Sequence, residues 1–182
     1  MNDQGQTALP IVGVMGSGAA ADDARCTALG HWLATEDVHL LTGGGGGVMS
    51  AVSRGFYETP KRAGLVIGVI PGGVGELGSA PPGYPNPWVE VPIRTHLPKS
   101  GREGTDPASR NHINVLSSDV VIALPGSWGT RSEVELAVLY ARPLVAYLRH
   151  RDEIPQLPET VTVVSDLGAL QAFVRKALRR AP

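Results

Sequence analysis

The chain has 182 residues, 42% of them hydrophobic, with 16 Lys and Arg against 17 Asp and Glu, which suits one globular domain over 1–182 with a sizeable core. Balanced charge and 5% aromatic content argue against both a basic field for nucleic acid and base-stacking platforms. Cys26 is the only cysteine, which excludes an intrachain disulfide and a cysteine-based metal cluster, and no run approaches the ~18 apolar residues of a membrane span. The first ten residues are polar and lack a basic start and an apolar core, so a soluble protein of the reducing cytoplasm, without a membrane partner, is expected.

In chain order, Ile11 to Met15 reads as a strand, ending in the turn Gly16-Ser17-Gly18. This turn lacks the full G-x-G-x-x-G spacing and a clear acidic residue closing the next strand, so the usual dinucleotide fingerprint fails. Asp22 or Asp23 can cap a helix running through Thr35, with Ala24, Ala28, Leu29, Trp32 and Leu33 as its buried stripe. The next strand, His39 to Leu41, runs directly into Thr42-Gly43-Gly44-Gly45-Gly46-Gly47 and then into Val48 to Val52, whose composition suits a helix. Successive glycines are costly to order, on the order of 1 kcal/mol each relative to alanine in regular structure. A flexible linker is the plain explanation, but a linker between a strand and a helix of a compact chain is out of place, and a ligand loop fits better.

Leu65 to Ile70 and Trp88 to Pro92 read as strands. Between them Pro71 to Pro87 holds five prolines and five glycines in seventeen residues, too many for a helix or a central strand, and is expected to cross the carboxyl edge of the sheet. The segment Arg94 to Ala108 carries His96, Lys99 and Arg102 among glycine and proline, a composition suited to a mobile lid or to an ordinary charged surface loop. Ser109 can cap a helix through Ser117. Arg110, Asn114 and Ser117 share one face of it, and Ile113 and Leu116 mark the adjoining core-facing stripe. Arg110 at the helix start could hold a phosphate or ribosyl oxygen in its planar fork; a surface arginine is the plainer reading.

Val120 to Leu124 follows as a buried parallel strand, broken by Gly126 and Gly129 before an amphipathic helix. Thr130 and Glu133 have the spacing of a reciprocal capping box, which needs no ligand. The amides of Gly126, Ser127, Trp128, Gly129 and Thr130 at a helix start also favour an anion, so Glu133 has two readings. Leu144 to Leu148 and Val161 to Val164 complete the strands. Ser165 or Asp166 starts a last helix, whose Leu167, Leu170, Phe173, Val174 and Leu178 face the sheet, while Arg175, Lys176, Arg179 and Arg180 form a solvated end. The alternation predicts an α/β fold, an open, doubly wound, mostly parallel sheet flanked by helices, with ligands at its carboxyl edge. His31, His39 and His150 lack metal-ligand spacing, and no metal site is expected.

The segments VGVMGSG, LLTGGGGGVM, VIGVIPGG, SRNHINVLSSDVVIALPGSWGTRSEVELAV and ARPLVAYL resemble, in order and over nearly the whole chain, the LOG-like proteins once described as lysine decarboxylases. The resemblance is closest to the molybdenum cofactor carrier branch. It implies a Rossmann-like fold and a homodimer or a dimer of dimers, that is, a homotetramer. Lysine decarboxylation is not expected, since no pyridoxal-binding motif is recognisable.

In the phosphoribohydrolase members of that family, a PGGxGTxxE loop binds phosphate, and its glutamate acts with an arginine to cleave the N-glycosidic bond of a nucleoside 5′-monophosphate. Here the loop reads PGSWGTRSE. Gly126, Gly129, Thr130 and Glu133 match it, Ser127 and Trp128 depart from it, Arg110 matches the arginine, and Asn111 stands where those hydrolases typically carry lysine. The resemblance therefore implies a phosphorylated small-molecule ligand, molybdopterin or a nucleoside monophosphate, with no cofactor required for chemistry. The expected ligand-binding residues are Gly16, Ser17, Gly43, Gly44, Gly45, Gly46, Arg110, Asn114, Gly126, Ser127, Trp128, Gly129 and Thr130. Arg110 and Glu133 are catalytic in the hydrolase reading, and a nucleotide sensor is a third.

Overall fold

The computed structural model of the chain describes residues 8–73 and 79–179. Part of the predicted edge-crossing loop (74–78), the polar N-terminus and Arg180 lie outside these. Seven strands form one sheet: β1 (Ile11–Met15), β2 (His39–Thr42), β3 (Val66–Ile70), β4 (Val91–Arg94), β5 (Val120–Ala123), β6 (Leu144–Tyr147) and β7 (Thr162–Val164). Their order is β4-β3-β2-β1-β5-β6-β7, and every neighbouring pair is parallel. The chain builds outward from β1 to β4, then returns to lay β5 on the other side of β1. That reversal makes the crevice above β1 and β5 the place where an open α/β sheet receives a ligand.

Five helices cover both faces: α1 (Asp23–Leu33), α2 (Gly47–Glu58), α3 (Asn111–Leu116), α4 (Trp128–Leu139) and α5 (Leu167–Leu178). On one face Leu29 and Leu33 of α1, Val52 and Phe56 of α2, and Leu170 and Val174 of α5 pack on Val12, Val14, Leu40 and Ile122. On the other, Val115 of α3 and Leu136 and Ala137 of α4 pack on Met15, Leu41 and Val121. Alternate strand residues thus enter opposite layers, and the strands read as continuous apolar runs because both faces are covered.

Several expectations need correction. The buried face of α1 is Cys26, Leu29, Gly30, Trp32 and Leu33, whereas Ala24 and Ala28 are exposed. The cause is a close helix crossing: a β-carbon on Gly30 would stand 2.2 Å from the Val52 carbonyl oxygen, and one on Gly55 would stand 2.3 Å from that of Thr27. The strand expected at Trp88 to Pro92 lies at Val91–Arg94, because Asn86 Oδ1 accepts from the Trp88 amide and bends that stretch. Pro92 is tolerated because β4 is the edge strand. Leu116 is 45% exposed, and Val115 is the buried apolar residue of α3. Arg175 of the C-terminal cationic group is paired with Glu36 rather than simply solvated.

Candidate functional site

The carboxyl edge gathers three glycine-bearing turns. Ser17 of the first donates its amide to the Pro125 carbonyl at 3.0 Å and accepts the Val48 amide on its own carbonyl at 2.9 Å, so the turns after β1, β2 and β5 form one rim. The five-glycine run is no linker, since Gly43, Gly44 and Gly45 are buried. Gly44 and Gly47 have φ of 73° and 55°, the left-handed region where a side chain is disfavoured. Thr42 Oγ1 accepts the Gly44 amide at 3.1 Å. Asn86 pins the loop from outside, donating Nδ2 to the Gly45 carbonyl at 2.9 Å.

The Thr130–Glu133 capping box does not form. The helix α4 begins at Trp128, its N-cap is Ser127, and no side chain caps its first turn. Starting three residues early carries Thr130 and Glu133 inside the helix, where both are buried. Thr130 instead sits against Gly126, where a β-carbon would fall 2.1 Å from its Oγ1. Glu133 Oε1 accepts from Asn114 Nδ2 at 2.9 Å. No side chain therefore caps the start of α4, and the first amides of a helix have no intrahelical partner.

Arg110 lies at the N-terminus of α3 and is 7% exposed. Its guanidinium rests on Gly43, where a β-carbon would stand 2.3 Å from Nη1, and 6.0 Å from the Tyr84 ring centre. Its Nε and Nη1 are buried without hydrogen-bond partners, as is Asn114 Oδ1. Burial pushes the Glu133 carboxyl above the usual glutamate range, while the charge of Arg110 and the hydrogen bond from Asn114 pull it down. Arg110, Asn114 and Glu133 thus form one buried polar cluster from α3 and α4, unfinished on the arginine side.

Two cavities flank the rim. One, of about 380 Å³, is bounded by Ser17, Val48, Leu124, Gly126, Arg25 and Arg149. The other, of about 480 Å³, is bounded by Gly72, Gly73, Tyr84, Pro98, Ser100 and Arg110. Arg25, Tyr84, Asn86 and Arg149 escape a reading of the sequence, since no local pattern marks them; Arg149 meets Asp22 only because β6 ends beside α1. The Arg94 to Ala108 segment is anchored. Ser132 Oγ donates to the Gly101 carbonyl at 2.8 Å, Arg102 stacks 3.7 Å over Trp128, and Lys99 pairs with Glu103. His112 of α3 contacts Tyr140 and the Thr105 and Asp106 carbonyls.

Among the described residues no three His, Cys, Asp or Glu side chains gather to hold a metal, and no helix is long and apolar enough to cross a membrane. A sequence model of the SLOG cluster4 family matches residues 9–170. The molybdenum cofactor binding protein of the phototrophic bacterium Rippkaea orientalis is 31% identical, with a TM-score of 0.73 over 94% of this chain and 99% of that one. The molybdenum cofactor carrier protein of Chlamydomonas reinhardtii is 29% identical, with a TM-score of 0.71 over 95% of this chain and 100% of that one. An uncharacterised protein of Archaeoglobus fulgidus is 29% identical over 129 residues, 70% of this chain and 72% of the relative.

Proposed function

The chain belongs to the SLOG cluster4 family, and we propose that it binds a phosphorylated small molecule at the carboxyl edge of the sheet and serves as a molybdenum cofactor binding or carrier protein. The observation that carries this reading is Arg110: a buried guanidinium with two unpartnered nitrogens, bordering a ligand-sized cavity. A phosphate oxygen completes such a fork with charge-assisted hydrogen bonds. The uncapped start of α4 supplies a second set of anion donors. The names of the Rippkaea and Chlamydomonas neighbours support molybdopterin, carried as cargo, as the phosphorylated ligand. Titration with a pterin monophosphate, followed by pterin fluorescence, tests the reading; saturable binding lost in Arg110→Ala supports it, and no binding refutes it.

One observation favours hydrolysis as a second reading, namely that Arg110 and Glu133 belong to the same buried cluster. In that reaction water adds to the anomeric carbon of a nucleoside 5′-monophosphate, the C–N bond breaks, and base and ribose 5-phosphate leave, with Glu133 opposing the oxocarbenium charge. Burial works against it, because a carboxyl raised toward its neutral form stabilises positive charge poorly. Incubation with a panel of nucleoside 5′-monophosphates separates the two: base release abolished by Glu133→Gln establishes the hydrolase, and no release, with a pterin monophosphate still bound, favours the carrier.

A further inference from the structure

Resting on the phosphorylated-ligand reading, we propose that Gly43 and Asn86 are positioning residues for Arg110: the glycine run after β2 is the bed that sets its guanidinium, and with it Tyr84, at the wall of the larger cavity. The run reads as a ligand loop in the sequence, yet Gly43, Gly44, Gly45 and Gly46 form no part of the walls of either cavity. Backbone conformation does not call for glycine at 43 or 45, since within the run only Gly44 and Gly47 have positive φ. What these two positions require is space.

That space is taken up from within the chain. A β-carbon on Gly43 would stand 2.3 Å from Nη1, 2.7 Å from Nη2 and 2.9 Å from Cζ of Arg110. One on Gly45 would stand 2.7 Å from both Cζ and the hydroxyl oxygen of Tyr84, and one on Gly44, between them, 2.5 Å from Cδ1 of Ile70. Arg110 and Tyr84 are the side chains that go on to line the larger cavity. The run therefore shapes that wall through the two side chains lying on it.

An arginine held by directional bonds needs no such bed. Nε and Nη1 of Arg110 are buried with no hydrogen-bond partner, and Glu133 Oε1 is taken by Asn114, so close packing against Gly43 does the work of fixing the guanidinium. Asn86 in turn fixes the bed. It is buried, and its amide donates to the Gly44 carbonyl at 2.8 Å. Its Nδ2 donates to the Gly45 carbonyl at 2.9 Å, and its Oδ1 accepts the Trp88 amide at 3.1 Å. Both ends of the side-chain amide are thus used on backbone, two residues beyond Tyr84. A charge-assisted fork binds phosphate through its geometry, so a residue that sets the fork is felt in affinity without touching the ligand.

The test is Gly43→Ala in the full chain. What must give way is the end of a flexible side chain, and alanine outside the left-handed region restricts the unfolded chain, so the Tm is expected to be unchanged or raised. The Arg110 Nε–H resonance of the ligand-free protein, assigned by its loss in Arg110→Ala, is expected to move. Affinity for a pterin monophosphate is expected to fall at least tenfold. Asn86→Ala is expected to move the same resonance and weaken binding in the same direction; where it does not fold, Gly43→Ala decides alone. An unmoved resonance overturns the proposal, and if affinity falls all the same, Gly43 touches the ligand directly. Full affinity with the guanidinium displaced overturns it too, as does a Tm lowered as far as in Gly44→Ala, where a φ of 73° makes alanine a plain backbone fault. A wild-type chain that binds no pterin monophosphate overturns the phosphorylated-ligand reading, while the resonance still decides whether Gly43 sets Arg110.

Discussion

A guanidinium held at 7% exposure with two nitrogens unpartnered is an expensive arrangement for the free protein, since each buried unsatisfied donor costs about 1–3 kcal/mol. Arg110→Ala removes that cost and the phosphate contact together. We therefore expect an unchanged or raised Tm with affinity for phosphorylated ligand reduced at least tenfold, about 1.4 kcal/mol; calorimetry showing full affinity would remove Arg110 from the site. Glu133 gives a prediction with a definite sign. Its carboxyl holds a proton more tightly in the folded chain than in the unfolded one, so between the ordinary carboxylate value and the raised one the native state binds more protons. Stability from this group is thus highest on the acid side and declines as pH rises through the raised value. Melting curves across that window should show a slope in the wild type that Glu133→Gln flattens; identical slopes would sink the assignment. The sequence placed Arg110, Asn114 and Glu133 at plausible spacings, but a helix-face argument could not show that α3 turns this face into the molecule, because its burial depends on α4, contributed later in the chain.

At the scale of elements, the contact between α1 and α2 shows how a hydrophobic pattern can mislead. Ala24 and Ala28 match the helical period, yet Gly30 and Gly55 let the two backbones touch, and that closeness, rather than apolar content, decides which face of α1 turns inward. Gly30→Val is expected to force the helices apart at a cost of about 1–3 kcal/mol, lowering Tm by roughly 2–4 °C per kcal/mol for a chain of this size. A variant melting with the wild type would show that the crossing is slack. The start of α4 illustrates the converse problem. Thr130 and Glu133 have a capping-box spacing, but the same spacing occurs inside a helix, and only the early start at Trp128 separates the cases. Strands were easier to read: β1, β5 and β6 lie where continuous apolar runs place them, since burial on both faces leaves few alternatives.

The whole molecule raises the question of what covers the far end of α3 and α4. Leu116 is 45% exposed, Val138 48% and Leu139 71%, and Arg142 ties the two helices there by donating Nη2 to the Leu116 carbonyl at 2.6 Å. The central strands are packed on both faces; the other exposed large apolar side chains, Tyr57, Leu65, Val91 and Ile93, lie on α2 and at the β3–β4 edge of the sheet, away from this end. An apolar end of this kind, on the helix whose other end borders the ligand crevice, is what a homo-oligomer of the expected type requires. Light scattering after gel filtration should then give a mass of twice or four times 19.1 kDa, and Leu139→Glu should shift it to the single-chain mass while leaving the Tm within a few degrees. Because α4 connects this face to the site, the monomeric variant also tests whether assembly and ligand binding are coupled: affinity for a pterin monophosphate that falls with the mass means the partner braces α4, and unchanged affinity means each chain binds alone. A wild-type chain that is monomeric at the concentrations of the titrations would remove the interface altogether.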